Sequence, residues 1–313
     1  MTPTTTPGGR GSLSLAPYVR HLGWASLAAN IGIVVTGGAV RLTGSGLGCP
    51  TWPRCTEESF RPRGELDLHT AIEFGNRMLT FVLTAVAVAT FVAAVQSGRR
   101  ELRRLALVLA LGVPAQALIG GVTVLTDLNP WVVSLHLLLS MAMVGVAVLY
   151  LRRLDHPDAT WHRGPVPGLA WTLFAAAWLV LVLGTVVTGA GPHAGDAETP
   201  RNGLDTLETS QLHADAVFLL VGLSLGMLFL VAATRGRGPA LRAVLVLLGV
   251  EVSQSAIGFV QYFTDLPEVL VGFHMLGAGL ISASVTWVLL AVALTEDDPA
   301  SRRAPEADVL GVP

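Results

Sequence analysis

Lysine is absent from this chain of 313 residues, so all 20 of its permanently basic side chains are arginine. Charge as a whole is scarce: 13% of residues are charged, 52% are hydrophobic, and the net charge is −2. That balance leaves no broad basic surface and excludes nucleic acid as a partner. It is also too apolar for a soluble domain of this length. Cysteine is nearly missing. Cys49 and Cys55 are the only two, which rules out a disulfide-dense scaffold, and no C-x-x-C-H motif is present for covalent haem attachment. No cleavable leader pattern is visible either, because residues 1–16 form a polar Thr/Pro/Gly/Ser tail.

What the chain has in plenty is long apolar runs. Eight are long enough to span a bilayer: roughly Leu22–Val40, Met78–Val95, Leu105–Leu125, Val132–Leu151, Leu169–Ala190, Ala216–Ala233, Ala243–Phe263 and Val269–Leu294. Each approaches the roughly 20 residues needed at about 1.5 Å rise per residue. Arginine is unevenly distributed between the two sets of loops. Arg10, Arg20, Arg99, Arg100, Arg103, Arg104, Arg152, Arg153, Arg163, Arg235, Arg237, Arg242, Arg302 and Arg303 fall on one side, 14 in all, against 6 on the other (Arg41, Arg54, Arg61, Arg63, Arg77 and Arg201). The positive-inside rule then predicts a multi-pass protein of a bacterial cytoplasmic membrane, embedded in lipid, with both termini in the cytoplasm.

The strongest organising signal is a duplication. Gln116, Ile119, Gly120, Thr126, Asp127, Leu128 and His136 recur as Gln254, Ile257, Gly258, Thr264, Asp265, Leu266 and His274, always 138 residues on. Nine of the 22 residues from Ala115 to His136 are identical in the second copy. Runs one and five share Val34-Val35-Thr36-Gly37 and Val186-Val187-Thr188-Gly189. Two chance-similar apolar helices would share Leu and Val, not a Thr-Asp-Leu turn and a histidine. The predicted architecture is therefore an all-α membrane protein of eight transmembrane helices, arranged as two pseudo-symmetric four-helix bundles in parallel repeat. The halves are 19–153 and 167–295. A cytoplasmic linker, 154–166, joins them, and disordered tails, 1–18 and 296–313, flank them.

Four apolar runs each carry one polar residue just inside the outer end: His136, His213, His274 and, in the fourth, Asn76, with His69 two turns before it. Imidazole in hydrocarbon is costly and is seldom kept without a partner. Three at one level read as a ligand shell for a flat hydrophobic group, with haem the first candidate. His213 and His274 fit a two-histidine iron site between facing helices. The alignment of runs two and six stays open, since an offset of 137 places Asn76 on His213 and an offset of 144 places His69 there.

Glu73 lies beside the first-half pocket, and at the 137 offset its counterpart is Ser210. Two readings apply: proton transfer by a partly buried carboxyl, or an interfacial acid paired with Arg77 four residues on. Glu251, opposite Val113 in the repeat, is either a structural partner for Gln254 or a proton-path residue. Cys49 and Cys55 flank a short outer loop on the oxidising face, where a disulfide is expected. It would be a loop staple or a redox pair beside the first-half pocket.

With those residues in view the chain resembles the haem A synthase family. The carriers are the stretch Thr36-Gly37-Gly38-Ala39-Val40-Arg41-Leu42-Thr43-Gly44-Ser45-Gly46 running into Cys49-Pro50, then Glu73-x-x-Asn76-Arg77, and His136, His213 and His274. The resemblance implies an oxidoreductase that converts the haem O ring methyl group to a formyl group in two hydroxylation steps, supplying haem A to a terminal oxidase. It implies haem b as cofactor, with His213 and His274 as axial ligands, and haem O as substrate in the first half, with His136 as one ligand. It further implies a catalytic role for Glu73 and a Cys49–Cys55 disulfide. Candidate partners are a haem O synthase, a thiol–disulfide protein at the outer face, and a second copy of the chain. Asn76 stands where the family commonly has histidine, so His69 substitutes or the substrate iron has one protein ligand. The competing readings are a two-haem b-type cytochrome that only transfers electrons, and a small-molecule transporter with parallel repeats.

Overall fold

The computed structural model describes residues 14–62 and 67–296. Arg10, Arg63, Arg302, Arg303 and most of the two expected tails lie outside the described residues. After one turn of 3₁₀ helix at Ala16–Tyr18 come eight helices: α1 Val19–Leu42, α2 Leu68–Gln96, α3 Arg100–Leu125, α4 Pro130–Asp155, α5 Pro165–Ala190, α6 Thr206–Arg235, α7 Pro239–Phe263 and α8 Glu268–Ala293. All eight are long and apolar enough to cross a membrane, and the chain is an all-α, eight-span membrane protein.

Local chemistry sets the helix ends. Proline at the first position starts α4, α5 and α7, where its missing N–H has no intrahelical acceptor to lose. The side chains of Asp67, Asn129 and Asp205 accept from Thr70 N–H (2.7 Å), Trp131 N–H (3.0 Å) and Glu208 N–H (2.8 Å). These caps satisfy otherwise orphaned donors. Two helices begin well before their apolar runs: α2 starts ten residues ahead of Met78, and α6 ten residues ahead of Ala216. Their first turns are polar and lie ahead of the apolar stretch.

The duplicated turn has the same backbone in both copies. Asp127 and Leu128 have φ of 51° and 58°, and Asp265 and Leu266 have 54° and 55°. Leu128 N–H closes on the Thr123 carbonyl and Leu266 N–H on the Gln261 carbonyl, donors and acceptors that are again 138 apart. Two successive non-glycine residues in the left-handed region are uncommon. Here the buried Leu128 side chain helps hold the turn. It lies where a side chain at Gly46 or at Gly195 would have to go, and Gly46 N–H donates to the Gly195 carbonyl (2.8 Å). One turn thus stitches the outer loops of both halves together.

Neighbour relations in the two halves match. In the first, α1 packs on α2 and α4, and α3 on α2 and α4; in the second, α5 packs on α6 and α8, and α7 on α6 and α8. The seam between halves is made by α1, α4, α5 and α8. Helix α8 is the most enclosed, with 67% of its apolar stretch buried against 17–39% for the others. Small and polar residues let the seam close tightly, as is usual between membrane helices: Ser282 donates to the Met141 carbonyl (2.8 Å), and Gly145 faces Thr286. At the end opposite the histidine level, Thr160–Trp161 pairs antiparallel with Leu294–Thr295, and Arg152 donates to the Leu294 carbonyl (2.7 Å).

Candidate functional site

Each histidine of the outer level sits against a glycine of the neighbouring helix. A Cβ placed on Gly120 of α3 would lie 3.3 Å from the His136 ring, one on Gly184 of α5 would lie 3.2 Å from His213, and one on Gly258 of α7 would lie 3.7 Å from His274. The repeated Gln-x-x-x-Gly motif therefore has two jobs one turn apart. Glycine seats the ring, and glutamine braces the helix pair below it. Gln116 donates to Ser140 Oγ (2.8 Å) and to the His136 carbonyl (3.3 Å), while Gln254 fills the space over Gly277 of α8.

His213 and His274 are brought together, with ring centres 6.5 Å apart and planes at 69°. Two imidazole nitrogens that bind one metal at about 2 Å, each about 1 Å from its ring centre, need centres roughly 6 Å apart. The pair therefore fits an iron between the rings. The Nδ1 atoms of His136, His213 and His274 are all buried without a hydrogen-bond partner. The Val180 carbonyl lies at the His213 ring, though outside hydrogen-bond geometry. The Nε2 edges are not enclosed, and apart from the Val180 carbonyl beside His213 the three rings have no hydrogen-bond partner among the described residues. A histidine kept only for packing would have its polar atoms satisfied. The donor set, its spacing and its open edges fit haem iron ligation.

The first half departs from this pattern. Ser224 of α6 donates to Glu251 of α7 at 2.7 Å. At offsets of 137 and 138 their counterparts are Ala87 and Val113, which pack in one cluster with Leu83. That equivalence agrees with the 137 register, in which Asn76 stands opposite His213. The Asn76 Oδ1 accepts from Thr36 Oγ1 at 2.8 Å. His69 is exposed at the first turn of α2, with Nδ1 3.1 Å from Ser45 Oγ. It lines an outer recess with Asp67, Thr70 and Asp196. Seven residues separate it from Asn76, about 10 Å along the helix.

Against the first turns of α2 lies a clamp with no counterpart among the described residues of the second half. Cys49 and Cys55 form a disulfide, and both are enclosed, at 0% and 1% exposure. The buried Glu73 accepts from Cys49 N–H through Oε2 (2.5 Å) and from Arg77 through Oε1 (2.5 and 3.1 Å). The Arg77 guanidinium also donates to the carbonyls of Cys49 (2.8 Å), Thr51 (3.1 Å) and Arg54 (3.2 Å). Trp52 of the same loop covers Gly121, next to the glycine that seats His136. The pairing of Glu73 with Arg77 was one of two sequence readings, and it is made. Arg77 as the hub of the whole loop was not foreseen, nor were the glycine seats, although Gly120 and Gly258 stand inside the duplicated motif.

Outside the membrane-spanning segments, the Thr70 backbone N–H and hydroxyl hold the Asp67 carboxyl below its usual range. In the second half, Glu251 is 2% exposed, with Oε2 buried and without a partner.

The family model for COX15-CtaA, described as "Cytochrome oxidase assembly protein", matches residues 20–218. That stretch contains Asn76, His136 and His213 and ends before α7 and α8, so His274 is tied to it only through the internal repeat. The chain is 31% identical over 183 residues to the "Heme A synthase" of Staphylococcus haemolyticus (strain JCSC1435), covering 55% of this chain and 60% of that protein. It is 34% identical over 183 residues to the "Heme A synthase" of Lysinibacillus sphaericus (strain C3-41), covering 54% and 58%. The protein of that name from Symbiobacterium thermophilum is 30% identical over 186 residues, covering 55% and 60%. The matches thus span about three-fifths of the length of these curated relatives.

Proposed function

The chain belongs to the COX15-CtaA family, and from that premise we propose that it is a haem A synthase, a membrane oxidoreductase that oxidises the ring methyl group of haem O to a formyl group. The observation that carries the reading is the His213–His274 pair, with ring centres 6.5 Å apart. These two imidazoles would hold haem b in the second half. Haem b, when bound there, would supply one-electron transfer. In the first half His136 binds the substrate iron, and the Gly120 seat fixes the ring's orientation. Residues 19–153 then form the substrate half and residues 167–295 the electron-transfer half. The arginine distribution supports a cytoplasmic-membrane protein with both termini inside.

Glu73 is the proton-handling group of the first half. It lies one turn outward from Asn76 on the same helix face. Its carboxylate is held from two sides, by Arg77 and by Cys49 N–H. The clamp keeps water from the reacting methyl group and ties the acid's position to the loop. Enclosure of both sulfurs supports a staple rather than a redox centre, since thiol exchange requires access to a sulfur.

The test is haem extraction from cells that make haem O and express this chain. Haem A is expected, and Glu73→Gln is expected to abolish conversion while leaving the second-half spectrum intact. Neither haem A nor a hydroxymethyl product in cells containing folded protein would overturn the proposal in favour of a pure electron carrier. The unequal halves already speak against a carrier, which would want equivalent ligand pairs.

A further inference from the structure

The space opposite His136 is the part of the first half that the proposed reaction leaves unexplained. On α1, Ala29 and Ile33 pack towards Leu83 and Ala87 of α2 and Val113 of α3, and Thr36 bonds Asn76. Gly32 falls between them on the same face, three residues after Ala29 and four before Thr36. Its counterpart at the 152 offset that relates Thr36 to Thr188 is Gly184, against which the His213 ring packs. At Gly32 an added Cβ would meet nothing within 4 Å among the described residues beyond its own stretch of helix backbone. The seat of the repeat is retained in the first half, and the ring that would occupy it is missing.

Neither candidate substitute reaches that position as a ligand. Asn76 turns its oxygen towards Thr36 on α1, so the group facing away from that bond is the amide nitrogen, a donor that cannot ligate iron. His69 is exposed, anchored to Ser45, and two turns further out. Among the described residues the Asn76 amide nitrogen has no acceptor. It stands one turn from Gly32 through its partner Thr36, where it can donate to a small molecule in the space a ring would have filled.

Building on the haem reading above, we infer that the first-half porphyrin iron is held by His136 alone and that its opposite axial position is a binding site for a small ligand such as water or cyanide, walled by Gly32 and served by the Asn76 amide. The two halves then differ in kind. One iron is saturated by protein and exchanges only electrons, and the other keeps an exchangeable position.

The test uses full-length purified protein loaded with ferric protoporphyrin IX and read by electron paramagnetic resonance and absorption. Equal amounts of a low-spin and a high-spin iron are expected, and cyanide should convert only the high-spin one. Asn76→His is expected to turn that iron low-spin and cyanide-insensitive. Gly32→Leu, which fills the space without adding a ligand, should leave it high-spin but at least tenfold weaker towards cyanide. Two low-spin irons in the unaltered protein, neither responding to cyanide, would overturn the inference. So would a His69→Ala change that converts a low-spin iron to high-spin. Both of those results would leave the proposed function standing, whereas protein that takes up no porphyrin would remove the function and this inference together.

Discussion

In the second half Gly184 seats a histidine ring, Ser224 bonds Glu251, and the outer rim of α6 has no disulfide loop over it. In the first half the corresponding Gly32 seats nothing, Ala87 packs near Val113, and a disulfide loop is fastened down by Glu73 and Arg77. The order of the helices and the pattern of which pack together match in both. The difference shows that this fold tolerates exchange of the groups inside the pocket far more readily than exchange of the packing that forms it. The polar investment of each half also falls at a different depth. It lies at the outer mouth in the first half and near mid-helix, on Glu251, in the second.

The comparison can be broken most sharply at its ligand pair. His274→Ala should abolish the two-histidine haem spectrum and leave porphyrin binding at His136 unchanged. Loss of both haems would mean that the halves are not independent sites. The next effect in size is on the clamp. Arg77→Ala leaves Glu73 buried and uncompensated, which typically costs about 3–5 kcal/mol. Thermal unfolding followed at the two haems should then show first-half release well below the second. Opening the disulfide with Cys49→Ser and Cys55→Ser together should do the same less strongly, by about 2 kcal/mol for so short a loop.

The glycine seats offer a finer contrast. Gly184→Ala forces a methyl group against the His213 ring and should destabilise by about 1–3 kcal/mol, with a shifted second-half spectrum. Gly32→Ala meets nothing and should be neutral or stabilising by up to about 1 kcal/mol. Equal effects in chemical denaturation would refute the assigned equivalence of the two positions. Smallest is the pH response of the α2 cap. Because the folded carboxyl of Asp67 sits below its ordinary value, the cap is at full strength above that ordinary value and is lost only as pH falls through the lower one. Hydrogen exchange of the first α2 amides, corrected for intrinsic rate, should therefore be flat between pH 7 and pH 5.

Much of this could be read before any coordinates. The eight runs, the level shared by His136, His213 and His274, and the 138-residue repeat all follow from hydropathy and identity, because lipid punishes misplaced polar groups and the duplicated turn has an unusual backbone. The 137 register was open, since α2 and α6 share no such turn. The Ser224–Glu251 contact and its apolar counterpart in the first half favour it. The outward reach of α2 was hidden because its first turns are polar, and hydropathy reports contact with lipid rather than helix. The glycine seats and the Arg77 hub were illegible for a different reason. A glycine signals what touches it, and an arginine what it bonds, only when the neighbouring chain is known.

Helix α8 belongs to the second bundle by connection, yet its opposite face walls the first. A chain severed between α4 and α5 would leave each piece with a bare strip of serine, glycine and threonine that lipid tails cannot satisfy. Two such pieces are expected to find one another in the bilayer. By the same logic, a single ancestral unit of four helices would have had to work as a pair of identical copies before fusion made the copies free to diverge.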